Sequence, residues 1–209
     1  ELIETGEIGQ IVSFRGRHAE NYMADPDVPH SFRTDPNGGG ALADIGSHII
    51  SMARYLLGQI TQATGQCRTI HKTRPIALDS AEHSPVLVDD VTFALVEVES
   101  GAVGTIEANW AASGRTMDLS WEITGTKGAI RFDQEDQNSI WLYRAEGPEQ
   151  ERGFKKILVG PTHPDYVNFC LGPGHGTGYQ DQIIIEARDF LKAIETGEPV
   201  WPTFRDGLA

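Results

Sequence analysis

The chain has 209 residues, 39% of them hydrophobic and 22% charged, enough apolar material for one large globular domain or two small ones. Seventeen Lys and Arg against 30 Asp and Glu leave a net charge of −13, which repels phosphate backbones and anionic bilayers and argues against nucleic acid as a partner. No apolar run reaches the ~18 residues of a membrane span, and no basic-then-apolar leader opens the chain, so a cytoplasmic protein off the membrane is expected.

Glu1 to Gly9 reads as the last turn of a helix, capped by Gly6, and then the start of a strand, which predicts a fragment of a longer polypeptide. Ile8 to His18 reads as a strand with a polar end at His18, Glu20, Asn21 and Tyr22. Asp25 to Pro29 and Asp35 to Gly38 punctuate a loop that delivers the chain to a helix ending at Gly58. A strand is expected from Gln59 to Ile70, and a surface loop from His71 to Pro85. Three strands follow the Asp89-Asp90 pair. Val91 to Glu99 and Ala102 to Trp110 flank the hairpin signal Ser100-Gly101, and Met117 to Thr124 alternates cleanly. Ile130 and Phe132 continue the pattern, Ser139 to Arg144 adds another strand, and Phe154 to Val159 a short edge strand guarded by Lys155 and Lys156. Short turns between successive strands require antiparallel pairing, so a meander is expected. The glycine-rich run Gly172 to Gly178 leads into a second amphipathic helix with a buried face at Ile183, Ala187, Phe190, Leu191 and Ile194, stopped by Gly197 and Pro199. Trp201 to Ala209 reads as the beginning of a further helix. The fold class is α+β, a largely antiparallel open sheet with helices packed on one face.

In the first helix, Leu42, Ile45, Ile49, Met52, Leu56 and Leu57 recur at three- and four-residue steps. Asp44, His48, Ser51 and Tyr55 form a second stripe at the edge of that face. A carboxylate and an imidazole four apart, just after three glycines that let backbone come close, are placed to meet one bound polar molecule. The same residues also fit a first-turn acid favoured by the helix dipole and a partly buried histidine it holds.

Other chemistry is open on the residues alone. Gly172 to Gly178 is neither a dinucleotide fingerprint nor a phosphate loop; it is either a plain mobile loop or the approach that brings His175 and Tyr179 to the first helix. His18, Asp44, His48 and His175 contain the donor types of a divalent-metal site, without the spacing of a helical zinc motif. No Gly-x-Ser-x-Gly elbow supports a serine nucleophile. Cys67 and Cys170 lie far apart without metal or redox spacing, so two free thiols in a reducing compartment are expected.

The run Phe32-Arg33-Thr34-Asp35-Pro36-Asn37-Gly38-Gly39-Gly40-Ala41-Leu42-Ala43-Asp44-Ile45-Gly46-Ser47-His48, with Ala53-Arg54-Tyr55-Leu56-Leu57-Gly58 behind it, resembles the C-terminal domain of the glucose-fructose oxidoreductase and inositol dehydrogenase family (Gfo/Idh/MocA). Leu2 to Gly9 is similar to that family's domain junction. Gly178-Tyr179-Gln180-Asp181, Phe190 to Ile194 and Phe204 to Leu208 are similar to its closing helix and tail. The resemblance implies a dehydrogenase of a sugar, polyol or related hydroxy compound, using NAD or NADP held mainly by an N-terminal Rossmann domain. The present 209 residues would then be the substrate-binding and oligomerisation domain, a homodimer or homotetramer through the sheet. It implies Asp44 and His48 as the catalytic acid and histidine, acting with a lysine from a Glu-Lys-Pro motif. Arg17, His18, Asn21, His175 and Tyr179 are second contacts suited to a hydroxyl-rich substrate. Neither Gly-x-Gly-x-x-Gly nor Glu-Lys-Pro occurs here, so no cofactor-binding residue is assigned, no metal ligand is assigned, and this fragment alone is expected to be inactive. Two other classes compete: a sugar-binding or assembly module without redox chemistry, and a metal-dependent hydrolase or isomerase.

Overall fold

The strand β1 (Ile11–Ala19) has alternate residues Phe14, Gly16 and His18 buried, while Ser13, Arg15 and Arg17 point to the other side and are more exposed. That alternation sets the two faces of the sheet. In the computed structural model, which describes residues 1–208, β1 runs inside an eight-stranded sheet. Its companions are β2 (Ile60–Arg68), β5 (Val91–Val98), β6 (Val103–Asn109), β7 (Asp118–Gly125), β8 (Gly128–Asp133), β9 (Ser139–Arg144) and β10 (Lys155–Leu158). The spatial order is β10-β9-β8-β7-β1-β6-β5-β2.

The sheet is largely antiparallel, as the short turns require, and Gly101 closes the β5–β6 hairpin at φ +83°. It is not a simple meander. β1 inserts between β6 and β7, parallel to the first with Ser13 opposite Val103, and antiparallel to the second with Phe14 opposite Ile123. The connection from Trp110 to Met117 is long enough to step over one strand position, so the chain leaves a slot that β1 fills.

The expected loop after β2 holds a small hairpin of its own, β3 (Thr73–Pro75) against β4 (His83–Pro85). Its anchor is Arg74, fully buried, whose guanidinium donates to the carbonyls of Met23, Asp25 and Val28 at 2.7, 2.8 and 3.3 Å. Asp90, equally buried, stands 3.6 Å away and accepts from the Ile70 and His71 amides and the Trp110 indole. Apolar residues from four places, Met23, Ala41 and Ile45, Val86 and Val88, and Ala108 with Trp110, close into one cluster around this knot.

A π-helical turn, Leu42–Gly46, opens into α1 (Ser47–Leu57), which ends where Gly58 takes φ +88°. The helix lies across β1, β6 and β7. Ile45, Ile49 and Ala53 form its innermost line. Gly46 and Gly16 permit the close fit: a Cβ at Gly46 would lie 3.1 Å from the Ala108 Cβ, and one at Gly16 would lie 2.7 Å from Ile49 Cγ1. The opposite sheet face carries Phe93, Leu95 and Val103, each more than half exposed.

The described residues fall into two compact units, Glu1–Gln137 with Trp141–Lys155, and Asn138–Ile140 with the chain from Lys156 onward. The second contains α2 (Tyr179–Thr196), closed by Gly197 at φ +71°. Its apolar stripe was expected to be buried and is not: Ile183, Phe190, Leu191 and Ile194 are all exposed, and no residue of α2 is buried. A stripe of that periodicity reports what a helix can pack against, not that the packing partner lies in the same segment. The tail forms only a short 3₁₀ turn, Asp206–Leu208, among the described residues. Cys67 is an exposed free thiol and Cys170 a buried one.

Candidate active site on the first helix

Three glycines shape the approach to the helix, but their crowding is internal. A Cβ on Gly39 would fall 2.1 Å from the Arg33 carbonyl oxygen, and one on Gly40, at φ +107°, would fall 2.3 Å from Asp89 Oδ1. The glycines therefore let the loop fold back on Arg33 and press against Asp89, where a free path to a ligand was expected. Asp89 in turn accepts from the Leu42 amide at 3.0 Å and the Thr92 hydroxyl at 2.6 Å, supplying from the loop before β5 the cap that the helix lacks in sequence.

Asp44 sits in the π-helical turn, a wide turn of a kind frequent at functional sites. Its Oδ2 accepts from the Tyr22 hydroxyl at 2.8 Å and from Arg33 Nε at 3.0 Å. Arg33 is itself stacked, with its guanidinium carbon 5.2 Å from the Tyr22 ring centroid and 4.5 Å from that of Phe32. Tyr22 packs edge-on against Trp110 at 6.2 Å. Burial, then the Asp44 carboxylate, hold the Tyr22 phenol well above its ordinary pKa, so it remains a donor. Both partners engage one oxygen, Oδ2, which fixes the plane of the carboxylate.

His48 is exposed at the same end, its ring centroid 5.3 Å from that of His18. Partial burial and the neighbouring His18 depress its pKa below the usual histidine value, against the smaller opposing pull of Asp44 and Glu20. His18 is only 4% exposed, with Nδ1 2.9 Å from the Ile45 carbonyl and Nε2 2.8 Å from Glu20 Oε1. Both nitrogens are taken, so it stands behind His48 and offers no lone pair to a substrate or a metal. Among the described residues no group of three or more His, Cys, Asp and Glu has metal-holding geometry.

The remaining sequence candidates scatter. Asn21 is exposed beside Tyr22, at the same strand end as His18. Arg17 does not join them: one residue from His18 in a strand, it emerges on the opposite face of the sheet and pairs with buried Asp118 at 2.5 Å, which Arg115 also meets. His175 and Tyr179 belong to the second unit and are exposed there, His175 in a loop pinned where Asn138 accepts from the Thr177 amide and donates to its carbonyl. Tyr22, Glu20 and Arg33 are the contributors that sequence reasoning left out of the site. The first two lay in the polar strand end it had marked, but Arg33 reaches Asp44 only through the glycine fold-back.

A two-layer α+β domain, one sheet face under a helix that bears an acid and a histidine and the other face open, defines the class: a site-bearing sheet domain. The chain belongs to the GFO/IDH/MocA C-terminal domain family, which matches residues 1–131. Levoglucosan dehydrogenase of Pseudarthrobacter phenanthrenivorans is 38% identical over 220 residues, covering 99% of this chain and 56% of that protein. A solved structure of levoglucosan dehydrogenase in complex with NADH and L-sorbose superposes with a TM-score of 0.93 at 39% identity, over 99% of this chain and 55% of the other. An oxidoreductase domain protein from Kribbella flavida gives 0.91 at 37% identity, over 99% and 56%. The chain spans about half the length of the curated relatives it matches. No helix among the described residues is long and apolar enough to cross a membrane.

Proposed function

We propose that this chain is the substrate-side domain of an NAD(P)-dependent oxidoreductase acting on a sugar or polyol. The observation that carries the reading is the Asp44 carboxylate, clamped on one oxygen by Tyr22 and Arg33, one helical turn from an exposed His48 whose neutral form is favoured. The dinucleotide belongs to the half that the relatives have and this chain does not span. The one parallel strand pair described, β1 with β6, is not a βαβ nucleotide cradle, and the Gly-x-Gly-x-x-Gly fingerprint is missing. A nicotinamide held by that other half would supply the hydride acceptor for the carbinol carbon. His48 takes the hydroxyl proton, directly or with a lysine of the other half, and Asp44 Oδ1 accepts a second hydroxyl and orients the ring. Relatives described as dehydrogenases of levoglucosan and inositols support a polyhydroxylated substrate.

Two apolar surfaces suit the expected partners. The exposed stripe of α2 suits the chain's own N-terminal Rossmann domain. The open sheet face with Phe93, Leu95 and Val103 suits a second copy in a homodimer or homotetramer. A cytoplasmic location fits the charge and the free thiols. The test is the full-length protein assayed against a sugar and polyol panel with NAD and NADP. His48→Ala is expected to lower turnover by ~100-fold or more, the usual scale for a positioned acid or base. Wild-type turnover in that variant, or no nicotinamide reduction with any polyol, would defeat the proposal.

A further inference from the structure

His18 poses an accounting problem. A neutral imidazole has one N–H and one bare nitrogen, so it needs one acceptor and one donor as neighbours. Here Nδ1 faces the Ile45 carbonyl at 2.9 Å and Nε2 faces Glu20 Oε1 at 2.8 Å. A carbonyl only accepts, and an ionised carboxylate only accepts. Both ring nitrogens must therefore carry protons, unless Glu20 itself is the acid. The ring is buried and the Glu20 side chain is 15% exposed, so the pair meets where a charge-assisted hydrogen bond is strong and an unpaired charge costly.

We infer that His18 is held as an imidazolium by the Ile45 carbonyl and the Glu20 carboxylate, and that this buried positive charge keeps the adjacent His48 imidazole neutral and able to accept a proton. His18 is thus a positioning residue that acts through its neighbour, and the inference rests on the catalytic reading of His48. The 5.3 Å edge-on arrangement of the rings puts the His18 charge nearer to His48 than a contact through solvent would. Among the described residues the other charged groups acting on His48 are Asp44 from the π-helical turn before its helix and Glu20 from the end of β1, both negative and both opposing the effect. In the flanking strands the residues opposite His18 in register, Ala108 of β6 and Leu119 of β7, carry no ionisable group. Glu20 offsets part of the field, so the pair sets the bias on His48 by its orientation, imidazolium inward and carboxylate behind.

The experiment is histidine-selective ¹⁵N NMR on the full-length protein, without nicotinamide or sugar. At pH 7, His18 is expected to show two protonated ring nitrogens and His48 one. His18→Gln should raise the titration midpoint of His48 by about one pH unit, the scale of a unit charge at this range in a partly solvated site. The double variant His18→Gln/Glu20→Gln should raise it by less, because the opposing carboxylate goes too. A bare nitrogen on His18, with the shared proton on Glu20, would overturn the inference in the unmutated protein, whatever the variants do. An unmoved His48 midpoint in a folded His18→Gln protein would overturn it equally. Since no turnover enters the measurement, it fails or succeeds separately from the dehydrogenase reading, which the polyol panel decides.

Discussion

Replacing Arg74 by Met isolates the knot that holds the loop carrying Tyr22. Methionine keeps most of the volume and the flexible stem but removes every donor. The carbonyls of Met23, Asp25 and Val28 lose the guanidinium in a site without solvent, that of Asp25 keeping the Val28 amide at 3.3 Å, and Asp90 loses the cation 3.6 Å away. Asp90 keeps the amides of Ile70 and His71 and the indole of Trp110, so its own desolvation is partly met. Breaking one side of a buried pair costs about 3–5 kcal/mol, and stranded acceptors about 1 kcal/mol each where water cannot reach them. Since these overlap, a net loss of about 3–4 kcal/mol is expected. The assay is urea unfolding of the full-length protein together with amide exchange at residues 69–72, where 3 kcal/mol of local opening free energy corresponds to ~100-fold faster exchange. Arg74→Lys should fall between, restoring the charge but not the planar fork. A loss below about 1 kcal/mol with unchanged exchange would refute the claim that this guanidinium organises the loop.

Gly39→Ala forces a methyl onto the Arg33 carbonyl at 2.1 Å, so the backbone must move by roughly 1 Å, a displacement that costs ~100-fold in a positioned site. The expected result is a kcat/KM lower by that factor in the full-length protein, with exchange in β7 and β8 unchanged. Glu135 is held down to about pKa 2, first by the Thr116 amide and then by the Met117 amide, the Thr116 hydroxyl and Arg115. A carboxylate depressed in the folded state stabilises above its unfolded value of about 4.3 and loses that contribution as the pH falls toward 2. Glu135→Gln should therefore lower the urea midpoint at pH 6, and the gap from wild type should narrow between pH 5 and pH 3. Leu95→Glu on the open sheet face should lower the sedimentation coefficient of the assembled protein, and an unchanged coefficient would move the subunit contact elsewhere.

Periodicity carried most of the fold. The strand β7 and the hairpin signal at Ser100-Gly101 appear in space where the residues put them, because a strand-forming run and a tight turn each have few chemistries, although the burial of β7 does not alternate and only Asp118 and Ile123 are buried in it. The insertion of β1 between β6 and β7 was not legible, since pairing across a hundred residues leaves no local trace. Nor was the buried Arg74, which in a stretch with Lys72 and Glu82 looks like solvent-facing charge until Asp90 and three carbonyls surround it. Asp44 and His48 were singled out by their spacing and their flanking motif, and their part in catalysis is the proposal made above. Arg17 was misjudged by one step along a strand, enough to send it through the sheet. The α2 stripe was read correctly as amphipathic and wrongly as buried, because the periodicity of a helix face does not say what, if anything, packs on it.

The slot that β1 fills has a consequence for how the molecule is made. The strand leaves the ribosome well before its two neighbours, which arrive about ninety and about a hundred residues later. Until then its unpaired edges and Phe14 have nothing to close upon, and the site-bearing helix has no floor. Pairings this far apart in sequence close late, and the intermediate lengths are the ones a chaperone or a neighbouring nascent chain would meet.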